Sequence, residues 1–343
     1  MVSFLHAAPV PVDGLGHTTD SARWLGASLP EQQRLEALAA GLSPGDGDDV
    51  VQPTPGAVAS ADALRRFARQ SATLPGDVVG HLGGEVARWC DEPCFGPPAR
   101  LVRWRGGGAR TPERLAAATP LAIEVGTYQV PVEQAAGPGG REVDMPVSNA
   151  VLVSTHHWSG LLWANLLYLG PTLWRTLVGS WAVAPLRLAW AAFTTVSLDP
   201  DRLGARLTRV ERGARVHRSA VVDGCWIRKG ARIGPGAVVR GSIVGEGARV
   251  EAQALVAFSV LGREARVQRK ALAQFAVLEE GAACFNAFSC NVAFTFDPSE
   301  ADIKIWTIEE SFGAWRSERA GAACGEVADR AARRLRNQSV DLV

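Results

Sequence analysis

The chain has 343 residues, 47% of them hydrophobic and 21% charged, with a formal net charge of +1. That composition describes a globular protein with room for two parts, and its charge provides no global pull toward nucleic acid or an acidic membrane. Six cysteines in this length do not make a disulfide scaffold.

Residues 1–150 read as a short α/β domain. Val2 to Leu5 is a candidate first strand, followed by Gly14-Leu15-Gly16-His17-Thr18, a glycine loop of the kind whose backbone approaches phosphates. The stretch RWLGASLPEQQRLEALAAGL predicts a helix, Asp49 to Gln52 a strand running into Pro53-Thr54-Pro55-Gly56, and Ser60 the cap of a helix through Arg69. Cys90 and Cys94 read as two thiols on a loop, because no second pair or nearby His completes a zinc site, and no metal site is expected. The start, Met1 to His6, lacks a basic region followed by a long apolar core, so the expected location is cytoplasmic.

Residues 151–204 read as an apolar connector carrying Trp158, Trp163, Trp174, Trp181 and Trp190. Ser154 or Thr155 is expected to cap a helix through Leu169, with Gly170-Pro171 ending it, and His156 and His157 to cap or pack at its start. Pro171, Arg175, Pro185 and Arg187 interrupt the apolar run, so a buried connector is expected in place of a membrane span. The competing reading lays 159–198 on a membrane surface.

From residue 205 to 296 the sequence repeats every 17 residues. One column is Val216, Ile233, Val250, Val267; a second is Val221, Val238, Leu255, Leu272; a third is Val210, Ile227, Val244, Leu261, Leu278. All three are expected to point inward. Ahead of the first column stand GAR, GAR, GAR, EAR and GAA, starting at Gly213, Gly230, Gly247, Glu264 and Gly281. Apolar residues every five or six positions, with Gly and Ala between them, suit short strands turning at the corners of a prism and exclude a helical repeat. The fold expected is a left-handed parallel β-helix. Arg215, Arg232, Arg249 and Arg266 each precede an inward residue, so they should stack outward about 4.8 Å apart as an anion-docking ladder, or else form a merely solvated basic face. His217 is the one histidine in the repeat and a weak candidate general base for acyl transfer. Phe285, Phe288, Phe294 and Phe296 would cover the end of the solenoid, and residues 297–343 read as a C-terminal cap and tail, with 313–337 an Arg-rich helix.

Three stretches carry a resemblance. The repeat CWIRKGARIGPGAVVRGSIVGEGARV resembles the hexapeptide-repeat tail of NDP-sugar pyrophosphorylases, such as mannose-1-phosphate guanylyltransferase-like and UDP-N-acetylglucosamine pyrophosphorylase-like proteins. In HHWSGLLWANLLYLG, Trp158, Leu161, Leu162 and Asn165 match that family's connector, and Gly26, Leu29, Glu31, Leu35, Leu38 and Gly41 match its first helix. The resemblance implies a nucleotidyltransferase-like N-terminal domain ahead of a left-handed β-helix, with Gly14, Gly16 and Arg23 as the candidate nucleotide-binding residues and Mg²⁺ as cofactor where activity survives. The chain departs from the pattern where His17 and Thr18 replace a Thr-Arg pair, where the following lysine has no counterpart other than Arg23, and where a metal-binding Gly-Asp is replaced at Pro53 to Gly56. The reading this implies is a sugar-nucleotide-transferase relative, catalytically degenerate and acting in binding, regulation or assembly. An active nucleotidyl- or acyltransferase and a purely structural solenoid are the alternatives. A nucleotide sugar or an anionic partner, and self-association through the β-helix, are the expected contacts; no nucleic acid is expected.

Overall fold

The computed structural model describes residues 2–12, 15, 17–24, 27–90, 95–133, 142–178, 208–284, 288–290, 292–297 and 302–307. It divides into two compact units, Met1–Val12 with Gly16–Tyr168, and Asp13–Leu15 with Leu169–Val343.

The first unit is built on a six-stranded sheet. In chain order its strands are β1 (Ser3–Phe4), β2 (Ser43–Pro44), β3 (Asp49–Pro53), β4 (Val78–Leu82), β5 (Leu101–Arg105) and β6 (Thr119–Ile123). Their spatial order is β6-β4-β5-β3-β1-β2, parallel except for β5, which runs antiparallel to both neighbours. Val50, Val51, Val78 and Leu101 are fully buried in it, as expected of short β-rich runs covered on both faces. Helix α1 (Leu29–Ala39) joins β1 to β2, and α2 (Ala61–Gln70) follows Ala57–Ala59, a strand paired with Leu152–Ser154. Ser60 caps α2 as predicted, its hydroxyl accepting from the Ala63 amide at 3.3 Å. A bidentate ion pair ties β5 to β3: Arg103 donates to Asp49 at 2.6 and 2.7 Å, and also to Ser71 and the Ala68 carbonyl. The guanidinium holds the Asp49 carboxyl below the usual carboxylate range.

Helix α1 turns Leu29, Gln33, Glu36 and Ala37 inward and leaves Leu35 and Leu38 each 46% exposed. The buried polar pair is satisfied, since Gln33 exchanges two hydrogen bonds with the Ala59 backbone and Glu36 accepts from the Ala61 amide and the Tyr168 hydroxyl. Two expectations need correction here. Cys90 ends a short helix, Glu85–Cys90, and is buried as a thiol, not looped out; Cys94 lies outside the described residues. The apolar helix α3 runs Trp158–Val178 straight through Pro171, while Ser154 belongs to a strand. Proline removes one amide and crowds the preceding turn, but a long helix flanked by buried Leu167, Tyr168, Leu169 and Leu173 retains enough packing to continue. No helix among the described residues is long and apolar enough to cross a membrane; most of 159–198 beyond Val178 lies outside them.

The second unit holds the solenoid. Strands of two or three residues recur every 17 residues on three faces and pair in parallel register, Arg215↔Arg232↔Arg249↔Arg266 on one, Val221↔Val238↔Leu255↔Leu272 on the next, and Arg209↔Trp226↔Ile243↔Val260↔Val277 on the third. This is the left-handed β-helix predicted from the repeat. Two of the three inward columns are as expected: Ile233, Val250 and Val267, and Ile227, Val244, Leu261 and Leu278, are buried in one core. The other column is corrected by one residue. Val222, Val239, Val256 and Ala273 fill the interior, and the neighbouring Val221, Val238, Leu255 and Leu272 face out, Leu255 being 37% exposed. Both members of each pair are apolar, so strand alternation offered nothing to choose between them. On the third face Trp226, Ile243, Val260 and Val277 point away from that core yet are buried as well.

The corners explain the glycine pattern. Gly213, Gly230 and Gly247 take φ of 92°, 74° and 69°, and Glu264 in the same column takes 57°; Gly224 and Gly241 are likewise succeeded by Phe258 and Phe275, both at 48°. Left-handed backbone is where glycine is free and other residues are strained, so the register is imposed by the coil even where glycine has been lost. Stacking partly offsets the cost in the second column, where the Phe258 and Phe275 rings lie 5.3 Å apart and nearly parallel. A column of buried polar side chains runs beside it: the Thr208 hydroxyl accepts from the Cys225 amide, Ser242 from Ser259, and Ser259 from Ala276. The Cys225 thiol is enclosed there and pushed up to about 12 by burial, which makes it an inert donor to carbonyls.

At the upper end the period shortens. Leu272 pairs with Phe288 and Val277 with Ala293, a step of 16, and Val292–Asp297 then turns back to pair antiparallel with Asp302–Thr307. Phe288, Phe294 and thus part of the expected cap belong to one more layer of strands; Phe285 and the tail 313–337 lie outside the described residues.

Candidate functional site

In an open α/β sheet, ligands sit outside the carboxyl ends of the strands where the strand order reverses. Here β1 leads through α1 to β2 on one side, and the chain then crosses to β3 on the other, so the reversal falls between β1 and β3. The residues that leave those two strand ends are Leu5-His6 and Thr54-Pro55-Gly56. They are held together, with the Leu5 amide donating to the Val51 carbonyl at 3.1 Å and the Gln52 side chain donating to the His6 carbonyl at 3.4 Å. Desolvation, then the nearby Arg34, lowers the His6 pKa, with Asp20 opposing them.

The end of β3 is closed by a second set of contacts. Thr54 and Arg100 are doubly linked: the Thr54 amide donates to the Arg100 carbonyl at 2.9 Å, and the Arg100 amide to the Thr54 hydroxyl at 3.0 Å. The Gly56 carbonyl accepts from both the amide and the hydroxyl of Thr155, at 2.8 and 2.7 Å. Gly56 and Gly96 both have positive φ and both face His156, where an added Cβ would come within 2.5 and 2.7 Å of the side chain. Glycine is required at each for that imidazole to fit. The Ser154 hydroxyl lies 3.0 Å from His156 Nδ1. The two strand ends thus carry His6, with Arg34 and Asp20 in electrostatic reach of it, and a Thr54–Gly56 turn that packs against His156. The end of β3 runs Pro53-Thr54-Pro55-Gly56, none of which carries a carboxylate.

That donor set does not fit Mg²⁺, a hard cation bound through carboxylate and phosphate oxygens. Thr54 is already engaged with Arg100, and among the described residues no group of three or more His, Cys, Asp and Glu side chains is placed to hold a metal ion.

Of the sequence-predicted residues, Arg23, His217 and the four ladder arginines lie among the described residues. Arg23 lies on a two-residue strand, Arg23–Trp24, paired with Ala27–Ser28; its carbonyl accepts from the buried Asn165 side chain, so this residue of the connector motif serves to fix that strand. Gly14 and Gly16 lie outside the described residues, between two short paired strands, Pro11–Val12 and His17–Thr18. His217 is exposed on the first coil. Its Nδ1 accepts from the Ser219 amide at 3.2 Å and lies 2.8 Å from the Ser219 hydroxyl, while that hydroxyl accepts from the Gly236 amide in the coil above. His157 and Ser159 repeat the same local arrangement at the start of α3. The four ladder arginines are exposed, in register on successive coils, and paired with no carboxylate among the described residues. His6, Thr54 and the cradled His156 were not singled out as site residues, because only the sheet order reveals which strand ends converge.

Comparison with known proteins adds little. No family model matches the chain, and no curated protein does. Among 18 matching chains of solved structures is the acetyltransferase domain of PglB from Neisseria gonorrhoeae FA1090, in complex with acetyl coenzyme A. It is 13% identical over 34% of this chain and 64% of that one, with a TM-score of 0.16. A likeness of that extent carries no argument about activity, and the fold rests on the register above.

Proposed function

We propose that the chain is a relative of sugar-nucleotide transferases whose N-terminal unit binds a nucleotide sugar without turning it over, in a regulatory or assembly role. One observation carries this reading: the strand end at the switch point runs Pro53-Thr54-Pro55-Gly56 against a glycine-cradled His156, and among the described residues no group of three or more His, Cys, Asp and Glu side chains is placed to hold a metal. Transfer of a nucleotidyl group needs its developing charge opposed by a cation, so a strand end of this kind supports recognition without reaction.

Differential scanning fluorimetry of the full chain against UDP- and GDP-sugars tests it. A ligand at a hundred times its Kd contributes about 2.7 kcal/mol, on the order of 5 °C in Tm. The expected result is a shift independent of Mg²⁺, reduced in His156→Ala, with no pyrophosphate released from nucleoside triphosphate and sugar 1-phosphate. Stabilisation that requires a metal-nucleotide, or pyrophosphate release, would overturn the reading. Acyl transfer is the second reading, favoured by one feature: His217 is exposed on the solenoid and its ring is held in place by Ser219. Acetyl coenzyme A should then raise Tm in the parent chain but not in His217→Ala.

A further inference from the structure

The lower end of the solenoid differs from the rest in three ways. First, its core is open. Val210 and Val216 occupy inward columns yet are 50% and 38% exposed, whereas Ile227 and Ile233, directly above them, are 0% and 3% exposed. Solenoids are unstable with bare ends and normally cover them. Second, its backbone is unfinished. Arg209–Val210, Arg215–Val216 and Val221–Asp223 each pair with one strand only among the described residues. The amides of Arg209, Glu211, Arg215 and His217 all donate upward to the second coil, so those of Val210 and Val216, alternating with them, point out of the end. Third, it is basic. Across residues 208–235, seven arginine and lysine side chains face Glu211 and Asp223 alone, a balance of +5, while residues 236–284 balance at +1. Both carboxylates are already committed, Glu211 to Arg228 and Asp223 to Arg240. Arg212, Arg215 and Arg218 are exposed and have no such partner among the described residues.

We propose that the first coil is a docking end that takes an acidic, extended peptide segment of a partner protein as an added coil. Each feature selects among occupants. A lipid surface would satisfy the charge and the valines, but cannot pair the strand edges, and unpaired amides and carbonyls are costly in hydrocarbon. A second copy of the same end could pair the edges, yet would bring two +5 surfaces together. An acidic strand supplies backbone partners, apolar side chains over Val210 and Val216, and carboxylates for the arginines. The arginine ladder is thereby narrowed to its lower rungs, because Glu251 and Glu264 lie close in sequence to Arg249 and Arg266, while Arg215 has Arg212 and Arg218 beside it. The inference is independent of nucleotide-sugar binding, which concerns the other unit.

Fluorescence anisotropy with the full chain tests it, using a labelled peptide of about twelve residues alternating Val and Glu, and its Val-Lys counterpart. The Glu peptide should bind, more weakly as salt rises, and the Lys peptide should not. The variant Arg212→Glu/Arg215→Glu/Arg218→Glu, on exposed positions, should lose at least about tenfold in affinity. Val216→Pro removes one outward amide at a position where an edge strand tolerates proline, and should also lose about tenfold. Both variants are checked by circular dichroism; if Val216→Pro does not fold, the charge-reversed variant still decides. Failure of the Glu peptide to bind, equal binding to the charge-reversed or proline variant, or sedimentation with phosphatidylserine vesicles in its place would each overturn the proposal. So would arginines that only guard the edge, which predicts no peptide binding and aggregation on charge reversal.

Discussion

The two units bury polar groups by opposite strategies. In the N-terminal unit the buried polar side chains of the sheet and its first two helices have distant partners of their own: Gln33 reaches Ala59, Glu36 reaches Ala61 and Tyr168, Ser60 reaches Asn149 and Val151, and Arg103 reaches Asp49. In the β-helix the same bond is made again and again to the residue one coil on, whether by backbone amides or by the Thr208–Ser242–Ser259 column. The lesson is about redundancy. A unit of unique pairs fails when one is lost, while a stack of repeats depends on whether a position points in or out.

The largest effect should therefore come from a unique pair. Arg103→Ala leaves the Asp49 carboxylate, the Ser71 hydroxyl and the Ala68 carbonyl without their donor on adjacent strands. Removing one partner of such a pair costs about 3–5 kcal/mol, read as a lowered denaturation midpoint; a cost below about 1 kcal/mol would break the contrast.

Next comes the direction of a solenoid side chain. Val256→Ser puts a hydroxyl in the core and should cost about 3 kcal/mol, whereas Leu255→Ser, its outward neighbour, should cost under about 0.5 kcal/mol. Equal losses would return Leu255 to the interior.

A third test uses pH. His157 is buried and its pKa is lowered to about 4 by desolvation, so between the ordinary value near 6.5 and 4 the unfolded chain binds a proton that the folded one refuses. Stability conferred by the neutral ring is complete above 6.5 and declines as pH falls toward 4, by roughly 2–3 kcal/mol. Melts at pH 7.5 and 4.5 should show that loss in the parent, and a smaller one in His157→Gln.

The smallest effect is a gain. Glu264 sits at φ 57° in a column otherwise built from Gly213, Gly230, Gly247 and Gly281. Glu264→Gly should stabilise the β-helix by about 0.5–1 kcal/mol, measured as a raised Tm. A loss would mean that its side chain contributes more than the corner costs.

How much of this was legible in the sequence follows from the same contrast. The β-helix and its 17-residue register, the outward arginines and two of three inward columns were readable, because every contact is with the residue one period away. In the N-terminal unit Ser60 announced its helix, since a cap acts within three residues. The buried face of α1 did not show itself, because Glu36 depends on Tyr168 far along the chain. The site was hidden for a related reason: His6, Thr54 and His156 belong to three separate stretches, and only the strand order sets the ends of β1 and β3 side by side.

By itself, then, the sequence determined the repeat: a fixed period with Gly and Ala at the corners leaves one way to stack the coils. The tertiary structure decided what the period leaves open. Val221 and Val222 are equally apolar, and only the corner beside them turns one outward and the other into the core. Likewise, Val210 and Val216 read as core residues from their columns, yet among the described residues no strand pairs beneath them and both are exposed at a basic-rimmed end. Burial is a property of neighbours, and at the last coil of a stack the neighbour is not in the repeat.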